Sequence, residues 1–229
     1  MIQLTKKEIL IRDIEPNETD IAVKIFKKES FELVDLFWNS NVSLTFISHF
    51  EWICTSIVCC LIGYFTESIT YIMFTVISCY IIRYFQILRC YMTYCSDTVK
   101  TEMTDIINSF VNEDGCCFKV AVFDGEVIGT VAVRKYASNP KGRTAELLRM
   151  YVTKKYQRRG VGSRLLDVAR DYCVTYGYEN LVLKTTVGNV KSTNFYVRYG
   201  FNELQKIMES GVVTAIYWMS LKKEDKQNI

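Results

Sequence analysis

A short basic turn with two glycines, Gln157-Arg158-Arg159-Gly160-Val161-Gly162, separates two patterns of different period. Residues 147–152 before it are apolar in the manner of a buried strand, whereas residues 165–173 after it repeat at helical spacing. The turn therefore opens a helix, whose first backbone N–H groups lack an intrahelical acceptor and whose dipole favours an anion. Because glycine brings no Cβ into the space beside the backbone, this stretch predicts a cradle for a phosphate or pyrophosphate.

The usual nucleotide fingerprints are missing from this turn. It matches neither G-x-G-x-x-G nor the lysine-ended P-loop pattern, so a different pyrophosphate ligand is indicated. A basic turn that merely caps a surface helix remains the alternative for the six residues taken alone. Residues 177–201, on the carboxyl side of the helix, decide between these interpretations.

A second strand and a second helix occupy this region at fixed spacing. After Gly177 comes the apolar run Leu181-Val182-Leu183, and then Asn189 at a helix-cap position with Tyr196 about two turns later. Because the cap and Tyr196 share one face, Tyr196 can point into the gap between the two strands if the two helices pack side by side.

The combination of Q/R-x-x-G-x-G/A, asparagine, a small residue, tyrosine and Gly-Phe, over about residues 146–201, resembles the GNAT superfamily of N-acetyltransferases. The resemblance implies a mixed α/β (α+β) fold, in which helices flank a central mixed sheet and two parallel strands splay apart. It also implies acetyl-CoA as co-substrate, with the pantetheine arm between those strands and the pyrophosphate on the glycine turn.

The same resemblance assigns roles to individual residues. The pyrophosphate would lie on Gln157, Arg158, Arg159, Gly160, Val161, Gly162 and Ser163. Backbone groups of Met150 and Val152 would contact the pantetheine, and Asn189 would contact the cofactor. Tyr196 would be the general acid that protonates the departing CoA thiolate.

Acetyl transfer to an amine also needs a group that accepts the amine's proton. Glu146, at the start of the strand that leads into the turn, is the best-placed carboxylate, and it could act directly or through a water. An ordinary acid at a strand end is the alternative interpretation of Glu146.

Other catalytic classes are hard to build from this sequence. The single histidine, His49, lies in an apolar stretch far from the turn, so a Ser-His-Asp or Cys-His site has no credible base. The nine cysteines form no pair of C-x-x-C elements, and no metal site is expected. A net charge of +3 does not indicate nucleic-acid binding. Basic residues around the turn could instead meet the 3′-phosphate of CoA or anionic lipid headgroups.

The high hydrophobic fraction, 49%, is concentrated in one block. Between Leu36 and Ile82 the only formally charged residues are Glu51 and Glu67, and the uncharged runs 52–66 and 68–82 are each shorter than the roughly 20 residues that a full crossing prefers. We expect a hydrophobic helical hairpin in a lipid bilayer. A buried helix pair in a soluble protein is the alternative.

The block is flanked by what resembles one domain. A strand at 8–14, a capped turn and a helix at 21–38 precede it. A helix at 98–111 and a hairpin at 116–135, bending at Asp124-Gly125, come after it. We therefore predict residues 1–38 and 91–221 as one acetyltransferase domain, 39–90 as an inserted membrane hairpin and 222–229 as a polar tail. The chain must then leave and return on one side of the membrane, by an even number of crossings or a re-entrant loop.

Basic residues on both flanks predict that the domain lies in the cytosol, and the shortness of the apolar runs favours the endoplasmic reticulum. This layout resembles the camello-like subfamily, which includes the cysteine-conjugate N-acetyltransferases of that membrane. Members acetylate cysteine S-conjugates, aspartate or protein lysines, so the acceptor stays open between a small-molecule amine and a protein lysine. A catalytically weak CoA-binding membrane adaptor is the alternative function.

Overall fold

The computed structural model describes residues 9–39, 46–66, 68–139, 142–209 and 212–222. Residues 40–45, near the start of the predicted insertion, and residues 223–229 of the predicted polar tail lie outside these ranges. The strands are β1 (Ile9–Asp13), β2 (Cys117–Phe123), β3 (Glu126–Lys135), β4 (Thr144–Val152), β5 (Asn180–Thr186), β6 (Asn202–Glu209) and β7 (Val212–Ser220). The α-helices are α1 (Thr19–Asn39), α2 (Phe46–Thr66), α3 (Ile69–Thr101), α4 (Val161–Tyr176) and α5 (Val190–Tyr199).

The strands form one seven-stranded sheet in the order β1-β2-β3-β4-β5-β7-β6. Strands β4 and β5 pair in parallel, and every other neighbouring pair is antiparallel. The parallel pairing joins only residues 144–147 to residues 180–183, although β4 continues to Val152 and β5 to Thr186. The two parallel strands therefore diverge toward their carboxyl ends, and the predicted mixed sheet with splayed strands is confirmed.

Helices cover both faces of the sheet. On one face, Leu165, Leu166 and Ala169 of α4 lie in a core cluster with Ala145 and Leu147 of β4. On the other face, a second cluster joins α1 and the segment after α3 to β2 and β3; its buried members include Ile25, Phe26, Ile106, Phe110 and Phe118. The site between β4 and β5 is thus bordered by a different set of helices on each side.

Two local irregularities shape the strands near this gap. The β2–β3 hairpin bends at Asp124 and Gly125, both with positive φ (52° and 78°), as the Asp-Gly signal predicted. In β4 the register with β3 shifts between Thr130 and Ala132, and Arg149 has a φ of 50°. The Thr130 hydroxyl donates to the Arg149 carbonyl at 2.8 Å, which holds this bulge in place.

The apolar block forms two helices in contact, α2 and α3, joined by two residues. A Cβ added to Gly63 would lie 2.9 Å from Ile72 Cδ1, so the helices meet closely near the bend. Large apolar side chains remain exposed along both helices, among them Ile57, Leu61, Phe65, Phe74, Ile77 and Ile81. Among the described residues, α3 is the helix that length and composition would allow to cross a membrane.

The prediction of a separate helix at residues 98–111 is wrong. Helix α3 runs unbroken from Ile69 to Thr101, and residues 107–111 form a π-helical turn. No glycine or proline interrupts residues 69–101, and Cys95 and Val99 pack against the core on the α1 side. The exposed apolar part of α3 and the part that packs against the domain therefore belong to one continuous helix. The predicted boundary at residues 90–91 falls inside this helix.

Candidate active site

The glycine turn enters α4 through two residues with positive φ. Arg158 has a φ of 60°, and Gly160, the N-cap of α4, has a φ of 82°. The Arg164 N–H donates to the Gly160 carbonyl at 3.1 Å, so the N–H groups of residues 161–163 precede the first helical hydrogen bond. A Cβ at Gly160 would meet nothing within 4 Å, which leaves open space beside the backbone. The turn therefore fits a diphosphate group.

The start of α4, the end of β4 and helix α5 converge beside this turn. A Cβ at Gly162 would lie 3.6 Å from Met150 Cε and 3.7 Å from Phe195 Cζ. The Tyr196 hydroxyl donates to Met150 Sδ at 3.7 Å. Burial raises the pKa of Tyr196 well above its usual range, so this phenol stays protonated at neutral pH. Tyr196 therefore presents a proton donor beside the end of β4, as the spacing predicted.

Asn189 is the N-cap of α5, as predicted. Its side-chain oxygen accepts a hydrogen bond from the Ser192 N–H at 3.2 Å. This cap uses the carbonyl oxygen alone, so the amide NH₂ is not committed to the helix. Asn189 can donate that group to a ligand without loosening α5.

The first residues of the turn contact other parts of the fold. The Gln157 side-chain amide donates to Glu29 Oε2 at 3.1 Å and to the Val152 carbonyl at 2.9 Å. The Arg159 guanidinium lies 5.9 Å from the Tyr156 ring centroid. Gln157 thus has a structural contact that its pattern did not predict. Like Arg158, Arg159 and Ser163, Gln157 is exposed.

Glu146 belongs to a chain of ion pairs. It is 5% exposed, and its carboxylate accepts from Arg134 Nε at 3.2 Å. Arg134 also donates to Glu102 Oε1 at 2.9 Å, and the second oxygen of Glu102 accepts from Arg149. Burial alone would raise the pKa of Glu102, but the guanidinium groups of Arg149 and Arg134 outweigh it and lower that pKa.

We name Glu102, Arg134, Glu146 and Arg149 the ion-pair chain. Sequence reasoning selected Glu146 and missed the other three. The pairing of Arg134 with Glu146 follows from the antiparallel register of β3 and β4, which becomes visible only when the strands are paired in space. The bulge at Arg149 and the end of α3 at Glu102 have no local sequence signal that joins them.

The predicted acid and base lie on opposite faces of the sheet. Ala145 and Leu147 point into the α4 side, so Glu146 between them points to the side of α1 and α3. Tyr196 packs with the α4-side cluster, next to Met150. The structure therefore brings Met150, Gly162 and Tyr196 together, and it places Glu146 across the sheet from them, beside the point where β4 and β5 separate.

Comparison with known proteins gives a family for this architecture. The model of the acetyltransferase (GNAT) family matches residues 82–201. Human N-acetylaspartate synthetase is 32% identical over 123 residues, which are 54% of this chain and 40% of that protein. Mouse N-acetyltransferase 8 is 32% identical over 127 residues, covering 55% of this chain and 54% of that protein. The chain thus spans about half the length, or less, of these two curated relatives.

A solved structure extends the likeness to nearly the whole chain. The crystal structure of a GNAT-family acetyltransferase from Staphylococcus aureus Mu50 covers 93% of this chain and 99% of its own, with a TM-score of 0.56 and 15% sequence identity. At this identity the likeness concerns the fold. Because the family model covers more than half of the chain, including β4, the glycine turn and α5, the chain belongs to the acetyltransferase (GNAT) family.

Proposed function

We propose that this protein is a membrane-anchored N-acetyltransferase that moves the acetyl group of acetyl-CoA to the primary amine of a small acceptor. One observation carries the proposal: β4 and β5 are hydrogen-bonded only over residues 144–147 and 180–183, and they diverge in front of the free N–H groups of α4. A gap that leads from a diphosphate cradle into the sheet suits a long, thin ligand with an anionic end.

In this proposal acetyl-CoA enters along the gap. The backbone N–H groups of residues 158–163 would hold the pyrophosphate, and the exposed guanidinium groups of Arg158 and Arg159 would add charge-assisted hydrogen bonds. Met150 and Val152 would line the pantetheine arm. Asn189 would donate its uncommitted side-chain amide. The thioester would then lie where the two strands separate.

The reaction is a direct transfer between two bound substrates. The amine nitrogen forms a bond to the thioester carbonyl carbon while Glu146, directly or through a water, accepts the proton that the nitrogen loses. The C–S bond then breaks, and Tyr196 gives its hydroxyl proton to the departing sulfur. Because Glu146 and Tyr196 approach from opposite faces, each serves a different end of the reacting group. Holding both substrates in place contributes much of the rate enhancement.

The acceptor side of the gap favours a small amine that also carries a carboxylate. The ion-pair chain alternates guanidinium groups of β3 and β4 with carboxylates of β4 and of the C-cap of α3, which suits a zwitterion such as an amino acid or a cysteine S-conjugate. The related proteins named N-acetylaspartate synthetase and N-acetyltransferase 8 support an amine acceptor. A protein lysine is the second candidate, and it would need a groove open to a peptide.

The apolar hairpin is the proposed anchor. Exposed isoleucine, phenylalanine and tyrosine side chains cover α2 and the first half of α3, a surface too apolar for water contact in a monomer. Exposed basic residues stand on both flanks, Lys24, Lys27 and Lys28 on α1 and Arg89 on α3. This balance supports a domain on the cytosolic side of a membrane, and we propose the endoplasmic reticulum as that membrane.

The test of activity is transfer of label from acetyl-CoA to a panel of amines by detergent-solubilised protein. Aspartate, S-benzyl-cysteine, a polyamine and a lysine peptide represent the acceptor classes. We expect label on an amino-acid acceptor, and a loss of labelling in Tyr196→Phe but not in Tyr199→Phe. Label on none of the amines, with CoA binding intact, would contradict the proposal and favour the adaptor function.

The test of anchoring is extraction of membranes with alkaline carbonate. We expect the full chain to stay in the pellet, and the triple variant Met73→Lys, Ile77→Lys, Ile81→Lys to move to the supernatant. The matched control changes exposed apolar residues of the domain, Leu10, Val174 and Leu204, to lysine. Release of the unchanged chain would contradict the anchoring proposal.

A further inference from the structure

Helix α1 contributes a buried carboxylate to the segment that leads into the glycine turn. Glu29 is 7% exposed although it is acidic. Its Oε1 accepts from the Lys154 backbone N–H at 3.2 Å, and its Oε2 accepts from Gln157 Nε2 at 3.1 Å. Both donors follow the end of β4 and are far from Glu29 in sequence, and Gln157 is the first residue of the glycine turn. A carboxylate loses much hydration on burial, so these donors are needed to offset that loss.

The contact fixes the chain at the point where it turns. Gln157 bridges α1 and β4, since the same amide nitrogen donates to the Val152 carbonyl at 2.9 Å. The next residue, Arg158, already has a positive φ, and Gly160 follows as the N-cap of α4. Upstream, the Thr153 N–H and hydroxyl donate to the Ile128 carbonyl at 2.9 and 3.1 Å. Thr153 thus fixes the start of the connection between β4 and α4, and Glu29 fixes residues 154–157, which follow.

We propose that Glu29 is a positioning residue for acetyl-CoA: from α1 it holds residues 154–157 so that the N–H groups of residues 158–163 converge on the diphosphate. The inference rests on the proposed function, because it assumes that this turn binds the cofactor. Glu29 does not touch the ligand, and it acts through Gln157 and Lys154. Hydrogen bonds to a buried charge are among the stronger ones in proteins, so their loss lets the turn sample other conformations.

Because Glu29 lies on α1, the contact also connects the cofactor turn with the proposed anchor. Helix α1 ends at Asn39, just before the segment that leads to the apolar hairpin. The helix that enters the proposed anchor thus also holds the cofactor turn. Cofactor affinity should depend on how α1 is seated.

The central experiment is Glu29→Gln in the full chain in detergent. The new amide NH₂ would face either the Gln157 amide or the Lys154 N–H, so two donors would oppose each other. We expect the Kd for CoA, measured by calorimetry, and the KM for acetyl-CoA to rise about tenfold, with kcat within about threefold of the wild type. Amides of residues 153–160 should exchange faster with deuterium. Asp20→Asn removes an exposed charge from the same helix and is the matched control.

A conservative variant separates positioning from general stability. Glu29→Asp keeps the charged acceptor on a shorter side chain and adds no charge to the turn, so about half of the lost CoA affinity on a logarithmic scale should return. Gln157→Ala breaks the same contact from the exposed partner, and it serves if Glu29→Gln does not fold. We expect a rise of about threefold in the Kd for CoA from this variant.

The outcomes distinguish the inference from the function on which it rests. Equal CoA affinity in the wild type, Glu29→Gln and Gln157→Ala would overturn the positioning role alone. A loss of affinity in Glu29→Gln that Glu29→Asp does not recover, together with a lower melting temperature without CoA, would show a purely structural role and also overturn it. No CoA binding by the wild type would overturn the proposed function and the inference with it.

Discussion

The two sides of the strand gap differ in what builds them. On the α4 side, the cradle consists of backbone N–H groups ordered by a glycine with a φ of 82° and by a helix start, and its arginines are exposed. On the α1 and α3 side, the ion-pair chain is made of charged side chains from α3's carboxyl end, β3 and β4. One side uses local backbone geometry, whereas the other depends on residues that are far apart in sequence.

This difference indicates which part of the site should tolerate amino-acid substitutions. A backbone cradle depends mainly on a permissive residue at the turn, so changes in its flanking side chains should weaken the binding of the ligand without abolishing it. The ion-pair chain is partly buried and depends on every member, because removing one leaves its partner unpaired in a largely desolvated place. Substitutions should therefore affect the cradle through cofactor affinity and the ion-pair chain through turnover and stability.

The largest effect is expected from loss of the Tyr196 hydroxyl, which lies beside Met150. Tyr196→Phe should lower kcat about 100- to 1,000-fold with little change in the KM for acetyl-CoA, because only the proton donor is lost. Since burial raises the pKa of Tyr196, the hydroxyl stays protonated and its contribution should not fade below about pH 10. Steady-state kinetics across pH measures this. Tyr199→Phe, on the same helix, is the control, and equal kcat values for wild type and Tyr196→Phe would remove Tyr196 as the acid.

The second-largest effect on turnover is expected at Glu146, on the opposite face of the sheet from Tyr196. Glu146→Gln is expected to lower kcat about 30- to 100-fold near neutral pH, because the acceptor amine loses its base. The deficit should shrink as the pH rises, since more of the amine is then already deprotonated. Rates measured at several pH values, beside the exposed β3 control Glu126→Gln, test this. A deficit that is constant with pH would assign Glu146 to structure rather than to proton transfer.

A smaller effect is expected at the cradle. Gly160→Asp should raise the Kd for CoA about 30-fold, because it combines a left-handed backbone with a negative charge beside the diphosphate. Gly160→Asn adopts that backbone more readily and carries no charge, so it should cost only a few-fold. Calorimetric titration compares the two variants. Equal affinities for CoA would show that the charge at this position does not face the ligand.

The smallest effect concerns the contribution of the ion-pair chain to stability. Glu102→Gln should lower the free energy of unfolding by about 1 to 2 kcal/mol at pH 7, because Arg134 and Arg149 lose a charged acceptor. The pKa of Glu102 is lowered in the folded protein, so its stabilisation is present above the ordinary value near 4.3 and is lost as the pH falls through the lower folded value. Thermal unfolding at neutral and acid pH, beside the exposed control Glu113→Gln, measures this. A stability difference that persists at low pH would contradict the assignment.

The two sides of the gap also differ in how far the sequence could predict them. The glycine turn, the Asn189 cap, the position of Tyr196 and the Asp124-Gly125 bend each depend on a few adjacent residues or on one helical repeat, and the structure has them where they were expected. The partners of Glu146 depend on strand register and on a bulge, and Glu29 depends on how a helix seats against a loop 125 residues away. Such contacts have no local pattern. The prediction of a separate helix at residues 98–111 is wrong for a related reason. A helix whose side chains change from exposed apolar residues to core residues keeps the same helical period, so the sequence shows no break.

The unbroken course of α3 bears on how substrates arrive. From Phe85, an exposed apolar side chain near the end of its hydrophobic stretch, to the ion-pair chain at Glu102, the helix rises about 25 Å. In the proposed membrane-anchored arrangement, a rigid spacer of that length would keep the reaction centre clear of the lipid headgroups. Acceptors would then reach the site by diffusion through water rather than by lateral movement within the bilayer.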